Sequence, residues 1–167
     1  MTARDLKLAG MTYLAYTLNH PAVCAERHFR GGLGDPDIIS VSKARCVTEI
    51  EIKVTMSDFR ANSHKRHIIS RSWNVARWPK FYYFLVPPAM VDDVLMEMHT
   101  WAGLLTVDEK MQIKVISRAP ENSFAKRATM KECAKLVRCL TNQAIADQKK
   151  FLRVCKLLAV QREADKK

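Results

Sequence analysis

Between Val47 and Lys53 the chain reads Val-Thr-Glu-Ile-Glu-Ile-Lys, and this alternation restricts the fold more than any other stretch. Thr48, Ile50, Ile52 and Val54 hold the even positions, and all are β-branched. Glu49, Glu51 and Lys53 hold the odd ones. A period of two marks a β-strand with one buried face. Ile50 and Ile52 are expected inward, and the three charged side chains project together from the other face. Two carboxylates at i and i+2 repel each other unless a cation sits beside them. Lys53 relieves part of that repulsion, and a metal ion would relieve more. An alternating charged strand is often only a solvated sheet face, and Glu-x-Lys by itself is common by chance.

The preceding residues add to the pattern. Pro36-Asp37 leads into the short β-rich run Ile38 to Val41, and Ser42-Lys43-Ala44-Arg45 reads as a turn. A hairpin of this size sets the start of its first strand near the far end of its second. Asp37 is thereby expected to approach Glu51 and Lys53. A hard cation such as Mg²⁺ is held by one or two carboxylates and keeps several waters. Asp37 and Glu51 are the candidate ligands of Mg²⁺ or Mn²⁺, with Lys53 positioning a water or a scissile phosphate.

Pro36-Asp37 followed by Glu51-Ile52-Lys53 resembles the PD-(D/E)XK nuclease superfamily, and more of the chain is similar to its small phage and bacterial branch of MmcB-like DNA-repair proteins. The Glu-x-Lys strand runs into the helix start Thr55-Met56-Ser57-Asp58-Phe59, followed by the basic stretch His64-Lys65-Arg66-His67. Pro79 to Pro87 matches a proline-led aromatic strand. Trp101-Ala102-Gly103-Leu104-Leu105 and Arg118-Ala119-Pro120 complete the order, and Glu49 and the long final helix depart from it. The resemblance covers roughly Val23 to Gln143. It implies a restriction-endonuclease-like core, a metal-dependent DNA nuclease, and Asp37, Glu51 and Lys53 as its site. It also implies a setting of DNA repair, recombination or processing in the cytoplasm of a bacterium or a phage-infected host.

The 167 residues suit one domain, with a basic helical region from about residue 125, and 48% hydrophobic content suffices for a core. A net charge of +11 calls for an anionic partner, most economically nucleic acid, DNA before RNA. An acidic membrane surface or protein is the other electrostatic option, and a homodimer or protein partner stays open. Five scattered cysteines without Cys-x-x-Cys indicate free thiols in a reducing compartment. No apolar stretch spans a membrane, and the N-terminus lacks a signal-peptide core.

The remaining elements give an α/β or α+β domain with a central mixed sheet flanked by helices. Thr2 and Asp5 cap a helix to about Leu18, whose apolar stripe is Leu6, Leu8, Met11, Leu14, Ala15 and Leu18. Ala22 to Phe29 reads as a strand. Thr55 or Ser57 caps a helix from about Asp58, Phe81 to Val86 is a buried strand, and Met90 to His99 a short helix. Leu104 to Val107 and Gln112 to Ser117 form a hairpin around Asp108-Glu109-Lys110. Thr129 and Glu132 begin a long C-terminal helix, expected to break near Thr141-Asn142 because unbroken helices beyond about 25 residues are unusual in small domains.

Further candidates are accessory. Glu26 and Glu49 could act as outer metal ligands, although Glu26 equally suits a surface pairing with Arg27 or Arg30. Lys65, Arg66, His67, Arg71 and Arg77 lie in a span from Arg60 to Lys80 that holds six Lys or Arg and no acid. They are the nucleic-acid-binding candidates, with Trp73 and Trp78 as stacking or core groups. From Lys126 onward twelve Lys or Arg face four acidic residues. Two further readings are a nucleic-acid- or partner-binding protein with a nuclease-like fold and little or no catalysis, and a protein-binding inhibitor.

Overall fold

The computed structural model describes residues 1–25, 36–61 and 79–164, with 154–164 as backbone only. Glu26, Lys65, Arg66, His67, Arg71 and Arg77, together with Trp73 and Trp78, lie outside the described residues.

Helix α1 spans Ala3–Thr12 and continues as a wider turn over Tyr13–Thr17. Thr2 and Asp5 form the expected reciprocal cap: Thr2 N–H donates to Asp5 Oδ2 at 2.8 Å, and Asp5 N–H to Thr2 Oγ1 at 3.3 Å. The buried face is Leu6, Ala9, Gly10 and Leu14. Leu8, expected in the stripe, is exposed, as is Leu18. Two residues on from Leu6 the helix has turned past half a circle, so Leu8 cannot share its face.

Among the described residues six strands form one mixed sheet in sequential order: β1 (Ala22–Ala25), β2 (Ile38–Val41), β3 (Val47–Ile52), β4 (Phe81–Leu85), β5 (Gly103–Val107) and β6 (Ile113–Ser117). β1, β2 and β3 pair antiparallel, β3, β4 and β5 parallel, and β6 returns antiparallel. The β2–β3 turn closes as the sequence predicts, with Arg45 N–H donating to the Ser42 carbonyl at 2.8 Å. Arg45 takes a positive φ of 62° there. The two parallel crossovers carry α2 (Met56–Ala61) and α3 (Val91–Glu97). A parallel pair needs such a connection to bring the chain back to the starting edge.

Both sheet faces are covered. On one, Leu6 and Ala9 of α1 and Leu14 of the turn that continues it pack on Ile38, Ile50, Ile52, Leu85 and Leu105. On the other, Phe59 of α2 and Val94 of α3 join Tyr82, Phe84, Val86 and Leu104. Further along that face, Leu136 packs on Ile39, Val41 and Val47. Leu136 belongs to α4 (Met130–Ala164), a single 35-residue helix. The expected break near Thr141 is absent. No Gly or Pro interrupts the stretch, and the Thr141 hydroxyl donates to the Val137 carbonyl at 3.1 Å, so its polar group is satisfied inside the helix. The Thr129–Glu132 cap forms as read, with Glu132 N–H donating to Thr129 Oγ1 at 3.2 Å and Thr129 N–H to Glu132 Oε2 at 2.7 Å.

Gly103 opens β5 at a close approach of neighbouring residues. A Cβ there would lie 2.4 Å from the Ala119 backbone nitrogen and 2.4 Å from Tyr83 Cε1. Backbone cannot yield as a side-chain tip does, so Gly103→Ala is expected to destabilise by about 2–3 kcal/mol, near the upper end of overpacking costs. Chemical denaturation measures this, and a change within about 0.5 kcal/mol, ordinary for a surface site, would contradict the close approach.

Candidate active site

The β2–β3 pairing builds the site. Ile38 stands opposite Ile50. One residue outward, the same register sets Asp37 across from Glu51, and directly opposed residues share a sheet face. Asp37 Oδ2 accepts the Ile52 N–H at 2.7 Å, which ties the carboxylate to the end of β3. Lys53 follows immediately, its own N–H donating to the Leu85 carbonyl at 3.1 Å and so prolonging the contact with β4.

Alternation holds as the sequence predicts, with one correction. Ile50 and Ile52 pack beneath α1, and Glu51 and Lys53 meet on the opposite face, Lys53 Nζ standing 3.2 Å from Glu51 Oε1. At Glu51 and Lys53 that face is shielded from solvent. Glu51 and Lys53 are 6% and 3% exposed, because β3 lies inside the sheet with elements packed over both faces. Phe84 stands beside Glu51 in the register. Glu49 lies two residues back on the same face, half-buried between Ile39 and Tyr82.

A residue that sequence reasoning used only as a helix start completes the cluster. Asp58 of α2 places Oδ1 3.3 Å from Lys53 Nζ. Its backbone N–H donates to Thr55 Oγ1 at 3.1 Å, which fixes the first turn of α2 against the end of β3. The available signal was the five-residue spacing from Lys53 across a strand-to-helix turn.

The electrostatics are uneven. Glu51 and Asp58 pair with the Lys53 ammonium, and Lys53 and Lys7 both act on Asp37. Burial raises the Asp37 pKa above its ordinary value of 3.8, and the Glu51 charge raises it further, against the Ile52 N–H, Lys53 and Lys7, which lower it. Carboxylates are the donor type that Mg²⁺ or Mn²⁺ take, together with water. Among the described residues no group of three or more His, Cys, Asp or Glu side chains gathers around one point to hold a metal by itself, so an ion bound by Asp37 and Glu51 would complete its shell with water.

A stability consequence follows from the Asp37 shift. A folded-state pKa above the unfolded one means the folded protein holds the proton more tightly. The stabilising contribution is present in full below 3.8 and is lost as pH rises through the folded pKa. Asp37→Asn keeps an acceptor for Ile52 N–H and discards the charge. The variant is expected to gain stability relative to the parent at neutral pH, within the ~0.5–2 kcal/mol common for relieving a functional site. The gain should shrink below about pH 4, where carboxylates protonate. Denaturation at the two pH values checks this, and an identical difference at both would refute it.

Fold and cluster together define a mixed α/β domain with a buried lysine among carboxylates at the centre of its sheet. No family model matches the chain, and no curated protein does. Among solved structures the chain is similar to the SPO1766 protein of unknown function from Silicibacter pomeroyi, at 16% identity and a TM-score of 0.55, covering 86% of this chain and 85% of that one. The likeness concerns the fold. Among the described residues no helix is long and apolar enough to cross a membrane.

Proposed function

We propose that the protein is a metal-dependent nuclease that hydrolyses phosphodiester bonds of DNA in the bacterial cytoplasm or a phage-infected host. The observation that carries the reading is the meeting of Asp37, Glu51 and Lys53 at one end of the β2–β3 pair. Asp37 and Glu51 would hold Mg²⁺ or Mn²⁺, a Lewis acid for a phosphate oxygen that also lowers the pKa of its bound water. The Ile52 N–H orients Asp37. Lys53, held by Glu51 and Asp58, presents a fixed positive charge toward the attacking water and the scissile phosphate. The PD-(D/E)XK resemblance and the net charge of +11 support the same substrate class.

One observation favours a second reading. The Lys53 ammonium is already paired on both sides, with Glu51 and Asp58, and a closed ion pair also suits a purely structural role. In that case the protein binds nucleic acid with little or no cutting.

Labelled duplex, single-stranded and branched DNA incubated with Mg²⁺, Mn²⁺ or EDTA separates the two. EDTA-sensitive cleavage is expected. Asp37→Ala and Glu51→Ala should each weaken Mn²⁺ binding by more than about 100-fold, beyond the ~10–100-fold cost of losing a supporting outer-shell group. Calorimetry with unchanged Mn²⁺ affinity in both variants would remove the metal site. Salt-sensitive binding without cleavage would install the second reading.

A further inference from the structure

The basic excess of the C-terminal region becomes directional on α4. Lys131, Lys135, Arg138, Lys149 and Arg153 are all exposed. At 3.6 residues per turn they fall within an arc of about 60°. Cys133, Leu136 and Leu140, which pack on the sheet, occupy the opposite side, and Cys139, also packed there, flanks the row. From Thr141 to Arg153 every residue except Gln143 is exposed, so the helix stands clear of the domain there. The cations of the arc form two groups, Lys131, Lys135 and Arg138 nearer the sheet and Lys149 and Arg153 beyond it, with Lys150 flanking the second group about 60° round the helix. Arg138 and Lys149 are separated by about 16 Å along the axis, and the whole row runs about 33 Å. Asp147 carries the only charge between the groups.

We infer that this face of α4 docks on duplex DNA, each cationic group against the phosphates of a different strand. The interval between the groups, which carries Asp147 but no cation, exceeds the ~12 Å width of the major groove, so the groups can reach the two strands that border it. A single strand is held by a continuous basic track with aromatic stacking platforms. The aromatic residue of the exposed segment, Phe151, lies on the far side of the helix from the row. The inference rests on the nucleic-acid substrate of the reading above and not on cleavage.

Fluorescence anisotropy of the full chain in EDTA, with a labelled duplex of about two turns, tests it. K131Q/K135Q/R138Q and K149Q/K150Q/R153Q keep helix-forming residues, and circular dichroism verifies their helicity. Each is expected to bind at least tenfold more weakly and to lower the slope of log affinity against log salt by about two to three, near 0.9 for each phosphate left without its cation. Lys110→Gln, on the β5–β6 turn, should bind as the parent does. Unchanged affinity and slope in both triple variants would overturn the inference. So would a single strand bound as tightly with the same losses, or losses confined to phosphatidylserine vesicles, for which exposed Val137, Phe151 and Leu152 provide an apolar flank. Cleavage with unaltered binding by the triple variants would sink the docking face and spare the nuclease. Row-dependent binding without cleavage by the parent would do the reverse.

Discussion

Replacing Lys53 with methionine is expected to lower DNA cleavage by on the order of 10³-fold, the scale of removing one preorganised electrostatic donor, while most of the nucleic-acid affinity survives. On the proposed reading, affinity would come from the broad basic surface, whereas Lys53 is 3% exposed and would act at one point. The same change removes the cation beside buried Glu51. Breaking a buried pair from one side costs about 3–5 kcal/mol, because the remaining charge is uncompensated. Loss of activity could thus be mistaken for loss of fold. Lys53→Met with Glu51→Gln removes both charges and should recover most of the stability, yet stay inactive. Single-turnover cleavage and denaturation on the three proteins separate the effects. A stable double variant that cuts as the parent does would exclude Lys53 from the chemistry.

Phe84→Ala is expected to cost about 3–5 kcal/mol, the range for truncating a buried aromatic ring. Phe84 is 2% exposed. It meets Phe59 edge-on with centroids 5.1 Å apart, and Tyr82 at 5.2 Å. It also stands beside Glu51 in the β3–β4 register. The cavity would open the dry wall of the carboxylate–lysine cluster as well as the packing of α2 on the sheet. A midpoint shift of the full size in urea, at unchanged slope, checks the value. A loss below about 1 kcal/mol, typical of a lightly packed site, would mean the wall collapses around the missing ring.

Much of this architecture is legible residue by residue. The alternation from Val47 to Lys53 carries the strand, because a period of two can satisfy only a pleated backbone. Asp108 predicts the β5–β6 turn for a local reason: its Oδ1 accepts both Lys110 N–H and Gln112 N–H at 2.8 Å. The caps at Thr2 and Thr129 likewise depend on partners three residues away. The approach of Asp37 to Glu51 is readable because a short hairpin largely determines its own register. Thr141 misleads, since a weak helix former in a long stretch suggests a break, whereas its hydroxyl bonds back within the helix.

What the sequence by itself determined is therefore local: the periods, the caps, the turns and the pairing across the β2–β3 hairpin. The tertiary structure decided how far each face of β3 meets water, and apart from half-buried Glu49 neither does. Alternation distinguishes two faces but carries no information on what will cover the second one. Here β4 aligns parallel beside β3, α2 and α3 pack over that side, and a pair that would be screened in solvent becomes a buried ion pair. Asp58 entered the site for the same reason. Its place beside Lys53 depends on how a helix settles on the sheet, a meeting of two elements that no spacing within either one encodes.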